Sequence, residues 1–150
     1  MKKHIQILSL VLLWIFFVLS FSCEEGSFDF NVNCDECYIS KPDSADLIVH
    51  LTFNELNDSI PLIFYRGKIE EGREEWIDTA SVQDYPDGKY YLLSPVNEYY
   101  SIKATYKASN NRTIVAVDGD KLVTRHISDA CDTDCWIIKG GVLDVRLKYE

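Results

Sequence analysis

The chain has 150 residues, 47% of them hydrophobic and 26% charged, and a net charge of −9. That is long enough for one domain with a real core. It is too acidic to bind nucleic acid, where Lys and Arg supply most of the affinity, and it carries no polybasic patch for anionic lipid; the acidity reads as a device that keeps an exposed surface soluble.

Lys2 and Lys3 precede an apolar run, Ile5 to Phe21, broken only by Gln6, Ser9 and Ser20. A basic start, an apolar centre and a small residue at the end make an export signal. The run of about 17 residues is also at the short limit for a membrane-spanning helix. Cys23, directly after Ser22, decides for export. Ser20-Phe21-Ser22-Cys23 resembles the lipobox of bacterial lipoproteins, in the relaxed form of Bacteroidota-type surface lipoproteins. The family's leucine stands three residues before the cysteine; here Leu19 stands four before it, and Phe21 is bulky. The resemblance implies cleavage after residue 22, diacylglycerol and palmitate-type chains on Cys23, and an address at the outer membrane. Glu24-Glu25 is similar to the acidic pair that directs such proteins to the cell surface. Two or more acyl chains hold firmly where one binds marginally, each buried CH₂ being worth about 0.8 kcal/mol.

This divides the chain into a signal, 1–22, a lipidated cysteine with a short polar tether, 23–33, and a domain, 34–150. Within the domain, Ala45 to Phe53 alternates as a strand does, with Leu47, Val49, Leu51 and Phe53 on one face. Asn54 to Ser59 is turn-rich, and Pro61 to Tyr65 is a second strand. A short edge strand is expected at Trp76 to Ala80, a turn at Tyr85-Pro86-Asp87-Gly88, and another strand at Lys89 to Leu93. Tyr99 to Lys107 has the clearest pattern: Tyr100, Ile102, Ala104 and Tyr106 on one face, Ser101, Lys103, Thr105 and Lys107 on the other. Two more strands, Thr113 to Val117 and Lys121 to Ile127, are expected to flank a hairpin turn at Asp118-Gly119. Gly140-Gly141 marks a turn into a last strand with Leu143, Val145 and Leu147 inward.

Seven to eight short strands, no amphipathic helix and turn signals every 8–12 residues or so predict an all-β fold, a single antiparallel β-sandwich. The Tyr100-x-Ile102-x-Ala104 pattern is similar to the late strand of immunoglobulin and fibronectin-like modules, in which an inward tyrosine packs at a corner. Such a fold carries no function of its own.

Cys34, Cys37, Cys131 and Cys135 form two close-spaced pairs nearly a hundred residues apart. The favoured reading is two disulfides, since the number is even and the compartment oxidising. Four cysteines allow three pairings; cross-links between the clusters are preferred, because the first and last strands of Greek-key sandwiches lie close together. A tetrathiolate zinc site is a second reading. A redox-active Cys34/Cys37 pair is a third, opposed by Asp35 and Glu36, whose negative charge disfavours a thiolate.

Other chemistry is sparse. His50 and His126 lack the spaced partners of a triad, and the aspartates at 84, 87, 118 and 120 read as turn residues. Aromatics are the remaining signal. Trp76, Trp136, Tyr90, Tyr91 and Tyr99 could stack sugars or build the core. Tyr90-Tyr91 and Tyr99-Tyr100 must each turn one ring outward, so Tyr91, Tyr99 and Trp136 are the candidate binding residues.

The sequence therefore predicts an exported, lipid-anchored, non-enzymatic structural or interaction module at the outer membrane, without cofactor or metal. Its expected partners are the membrane, through the lipid, and an envelope protein or a glycan. A small-ligand or glycan binder is the alternative, and a thiol-redox or metal-binding protein the third reading.

Overall fold

A computed structural model describes residues 32–71, 73–128 and 131–148. The expected signal, Cys23 and nearly all of the tether lie outside the described residues. Among the described residues, eight strands follow one 3-10 turn at Cys34–Glu36: β1 (Ser44–His50), β2 (Ser59–Arg66), β3 (Arg73–Ser81), β4 (Lys89–Pro95), β5 (Glu98–Lys107), β6 (Thr113–Ile127), β7 (Cys135–Lys139) and β8 (Val142–Asp144). They form a three-stranded sheet, β4-β1-β8, packed on a five-stranded sheet, β3-β2-β5-β6-β7.

The alternation that marks the strands also builds the core. Leu47 and Val49 of β1, Tyr90 of β4 and Leu143 of β8 point in from one sheet. Ile60, Leu62 and Phe64 of β2 meet them from the other, with Ile102, Ala104 and Tyr106 of β5. Tyr106 is fully buried and still satisfies its hydroxyl, which donates to the Val145 carbonyl at 2.8 Å. That bond holds the C-terminal segment against β5.

One pairing departs from the antiparallel expectation. β8 runs parallel to β1, with Ile48 opposite Val142 and His50 opposite Asp144. Parallel neighbours need a long crossover, and here most of the domain lies between the two strands. Gly140 and Gly141 take φ of 73° and 76°, a left-handed conformation that side chains other than glycine's resist. Their turn delivers β8 to the edge of β1.

A second departure is Asp118-Gly119, which lies inside the 15-residue β6 and not in a turn. The carboxylates of Asp118 and Asp120 accept hydrogen bonds from the backbone N–H groups of Asp144 (2.6 Å) and Val142 (3.3 Å). Two residues apart on one strand, they satisfy the edge of β8 that β1 leaves open. On the opposite face Gly119 leaves room for the Tyr99 ring: a Cβ there would meet the Tyr99 hydroxyl at 2.7 Å and make the ring shift.

Candidate functional site

The chain enters the sandwich at the disulfide end. Asn33 organises that entrance: its side chain accepts from the N–H of Asp35 at 3.2 Å and donates to Glu36 at 3.0 Å. This fixes the 3-10 turn carrying Cys34. Cys34 is bonded to Cys131 and Cys37 to Cys135, so each close-spaced pair contributes one sulfur to each bond. The two bonds lie side by side, with Cys37 Sγ 3.7 Å from Cys131 Sγ. Next in the chain, Tyr38 and Trp136 exchange two backbone hydrogen bonds of 2.8 Å, a one-residue antiparallel bridge that covers the outer edge of β7. Cys135, Ile127 and Ile137 are buried at this end.

The opposite end holds an open pocket of about 510 Å³. Beside it, and not lining it, lies Asn57, a buried polar residue in the β1–β2 connection. The Asn57 amide donates to the Lys107 carbonyl (3.0 Å) and to Asn54 Oδ1 (2.9 Å), and its oxygen accepts from the Lys107 N–H (2.7 Å). The β1–β2 turn is thereby clamped to the end of β5. Leu56, Ile114 and Leu147 give the pocket an apolar side; Asn54, Lys107 and Asn110 give it polar groups. β6 starts beside this pocket at Thr113 and ends beside the disulfides at Ile127, so the two ends stand roughly 45 Å apart along the strand, at about 3.3 Å per residue.

The candidate aromatics do not converge. Tyr91 alternates with the buried Tyr90 on β4 and is half exposed on the outer face of the three-stranded sheet. Tyr99 lies on the outer face of the other sheet, over Gly119. Trp136 is on β7, its ring 4.9 Å from His126 and under Lys41 Nζ at 5.3 Å. Rings on opposite faces of a sandwich cannot grip one ligand. Among the other aromatics weighed in the sequence, Tyr90 is core, whereas Trp76 is 52% exposed. Trp76 flanks a small cleft of about 160 Å³ between β3 and β4, together with Leu92, Leu93 and Pro95.

The displaced titrations belong to the scaffold. The Tyr90 hydroxyl donates to Asp78 at 2.6 Å, which holds the Asp78 carboxyl below its usual range. Burial, and then Asp78 itself, push the Tyr90 phenol well up. Arg146 forks onto Asp144 through two bonds of 2.8 Å and draws that carboxyl far down. Burial also raises the phenols of Tyr100 and Tyr106.

The distal pocket escaped the sequence reading. Asn57, which holds two of its lining residues, Asn54 and Lys107, sits in a stretch that reads only as turn, and nothing in the local pattern distinguishes a buried asparagine from a solvated one.

Compared with protein-family models, curated proteins and solved structures, the chain matches none.

Proposed function

We propose that the chain is an exported lipoprotein, anchored through Cys23 in the outer membrane, and that it works as a non-enzymatic interaction module whose distal loops meet an envelope partner. One observation carries this reading. The chain enters the sandwich at the double-disulfide end, and the pocket with its flanking loops lies at the other end of β6, a strand whose contour length is roughly 45 Å. A tether at one end and recognition loops at the other is the arrangement by which sandwich modules present a binding surface.

The test has two parts. Radioactive palmitate should label the chain in cells, and Cys23→Ala should abolish the label and release the protein from the membrane fraction. A photo-reactive residue at Leu56 should then cross-link an envelope component that the same residue at Tyr91 does not. Absence of label defeats the anchor, and equal cross-linking from both positions defeats the distal site.

The pocket supports a second reading, a small-ligand or glycan binder. Since Tyr91, Tyr99 and Trp136 point apart, the ligand would sit among Asn54, Lys107 and Asn110 over the apolar side formed by Leu56 and Ile114. Saturable binding on a glycan array, lost in Leu56→Asp, would favour it.

A further inference from the structure

We infer that the disulfide cap, once reduced, is a tetrathiolate site for one soft divalent cation, zinc or cadmium. The fold brings four cysteines together from two segments nearly a hundred residues apart in sequence. Across the two bonds the Cα atoms are 5.8 and 5.5 Å apart. The sulfurs of Cys37, Cys131 and Cys135 all lie within 4.8 Å of one another, and Cys34 is bonded to the second of these. Tetrahedral zinc with Zn–S of about 2.3 Å spaces its sulfurs about 3.8 Å apart. The non-bonded pair Cys37 and Cys131 is already at 3.7 Å. Once the two bonds open, rotation of the cysteine side chains separates the formerly bonded sulfurs towards the same spacing.

The backbone that positions the sulfurs does not depend on the disulfides alone. The Tyr38–Trp136 bridge holds the two segments in register, and the Asn33 cap fixes the 3-10 turn within the first. Asp35 and Glu36 separate one pair of cysteines, and Asp132 and Asp134 lie within the other; their charge disfavours free thiolates, a cost that a bound divalent cation offsets. These exposed carboxylates draw cations to the cap, and the thiolates then select a soft one over calcium or magnesium.

The chemistry balances. Reduction takes four electrons and four protons and converts two disulfides to four thiols; a dithiol supplies both and becomes a disulfide, whereas a phosphine supplies the electrons and becomes its oxide while water supplies the protons and the oxygen. The divalent cation then binds four sulfurs and releases the four protons. Oxidised and reduced forms would thus keep the same end of the sandwich closed, one by covalent bonds and the other by a metal.

The full chain in detergent is reduced anaerobically with a phosphine and titrated with cadmium. The expected result is one cadmium per chain, a sulfur-to-cadmium charge-transfer absorption that saturates at that ratio, and loss of iodoacetamide labelling at all four cysteines. The Cys37→Ser/Cys135→Ser double variant, which retains the partners of the other disulfide, should lose the stoichiometric band once reduced. Glu36→Gln should keep it. If reduction loosens the domain, one equivalent of cadmium should restore the near-ultraviolet circular dichroism. No charge-transfer band, thiols that stay open to alkylation with metal present, or no recovery of structure on cadmium addition would each overturn the inference. Labelling is read at Cys34, Cys37, Cys131 and Cys135 by peptide mapping, so that neither the state of Cys23 nor the distal pocket enters the result.

Discussion

Tyr100 donates its phenol hydrogen to the carbonyl of Pro95, five residues earlier, over 2.8 Å. The bond spans the crossing from β4 to β5, where the chain leaves one sheet for the other, and the ring packs with Leu47 and Leu122. The bond ties the inward ring back across the corner between the two sheets, and it gives the inward face of Tyr100, Ile102 and Ala104 a fixed starting point. Tyr100→Phe keeps the ring and removes only the bond. The expected cost is about 1 kcal/mol, the net worth of one such hydrogen bond. It would be read as a lower urea midpoint with an unchanged slope.

Asn57→Ala should cost more, about 3 kcal/mol, because three hydrogen bonds go together and the backbone of Lys107 loses both partners. The damage is local to the distal end. Limited proteolysis should therefore cut first between β1 and β2. Cross-linking from Leu56 should fall in the same variant, while palmitate labelling stays at the wild-type level.

The inward faces of β1 and β5 were legible, because each has one face on the core and one in water, and such strands alternate. β7 was not. Its run Cys135-Trp136-Ile137-Ile138 has no alternation, since Ile138 packs beside Tyr100 and Leu122 while Cys135 and Ile137 are buried on the other face. Asp118-Gly119 misled for a different reason. The same dipeptide that makes a hairpin turn here bonds the edge of a distant strand and admits the Tyr99 ring, and both partners come from outside β6. Strand direction was equally hidden: nothing in Leu143 or Val145 records that β8 runs parallel to β1. Of the candidate site, the cysteine clusters announced themselves by spacing. The pocket, formed where the β1–β2 turn meets the end of β5 and the start of β6, did not.

Stability should fall at both ends of the pH scale, through one shared contact. The folded-state pKa of Asp78 lies below the usual 3.8, chiefly because Tyr90 donates to the carboxylate. Its stabilising contribution is whole above about pH 4 and is lost as the pH falls below that value. Tyr90 behaves oppositely: burial first, then Asp78, raise its phenol above the usual 10.0. That contribution is whole below pH 10 and is lost as the pH rises further; Tyr100 and Tyr106 add to the same alkaline limb. Urea midpoints of the wild type and Asp78→Asn should differ clearly at pH 7, and the difference should shrink as the pH falls below about 4. Phenolate absorbance should show a group of tyrosines that ionise only on alkaline unfolding.

The two disulfides should prove strongly non-additive. Each closes a loop of nearly the whole domain, with sequence separations of 97 and 98. In the chain-entropy description one such loop is worth about 4.7 kcal/mol. Once one bond is closed, however, the second closes only a small ring made of the residues between the paired cysteines. A ring of about eight residues is worth about 2.5 kcal/mol on the same scale. Removing either bond alone, by Cys34→Ser/Cys131→Ser or by Cys37→Ser/Cys135→Ser, should therefore cost about 2.5 kcal/mol, because the remaining bond still holds the long loop. Removing both should cost about 7 kcal/mol, comparable to the whole stability of a domain this size. The measurement is urea unfolding of the two double variants and the quadruple variant. Equal, additive losses would mean that the bonds act on separate parts of the domain, which their side-by-side placement at 3.7 Å contradicts.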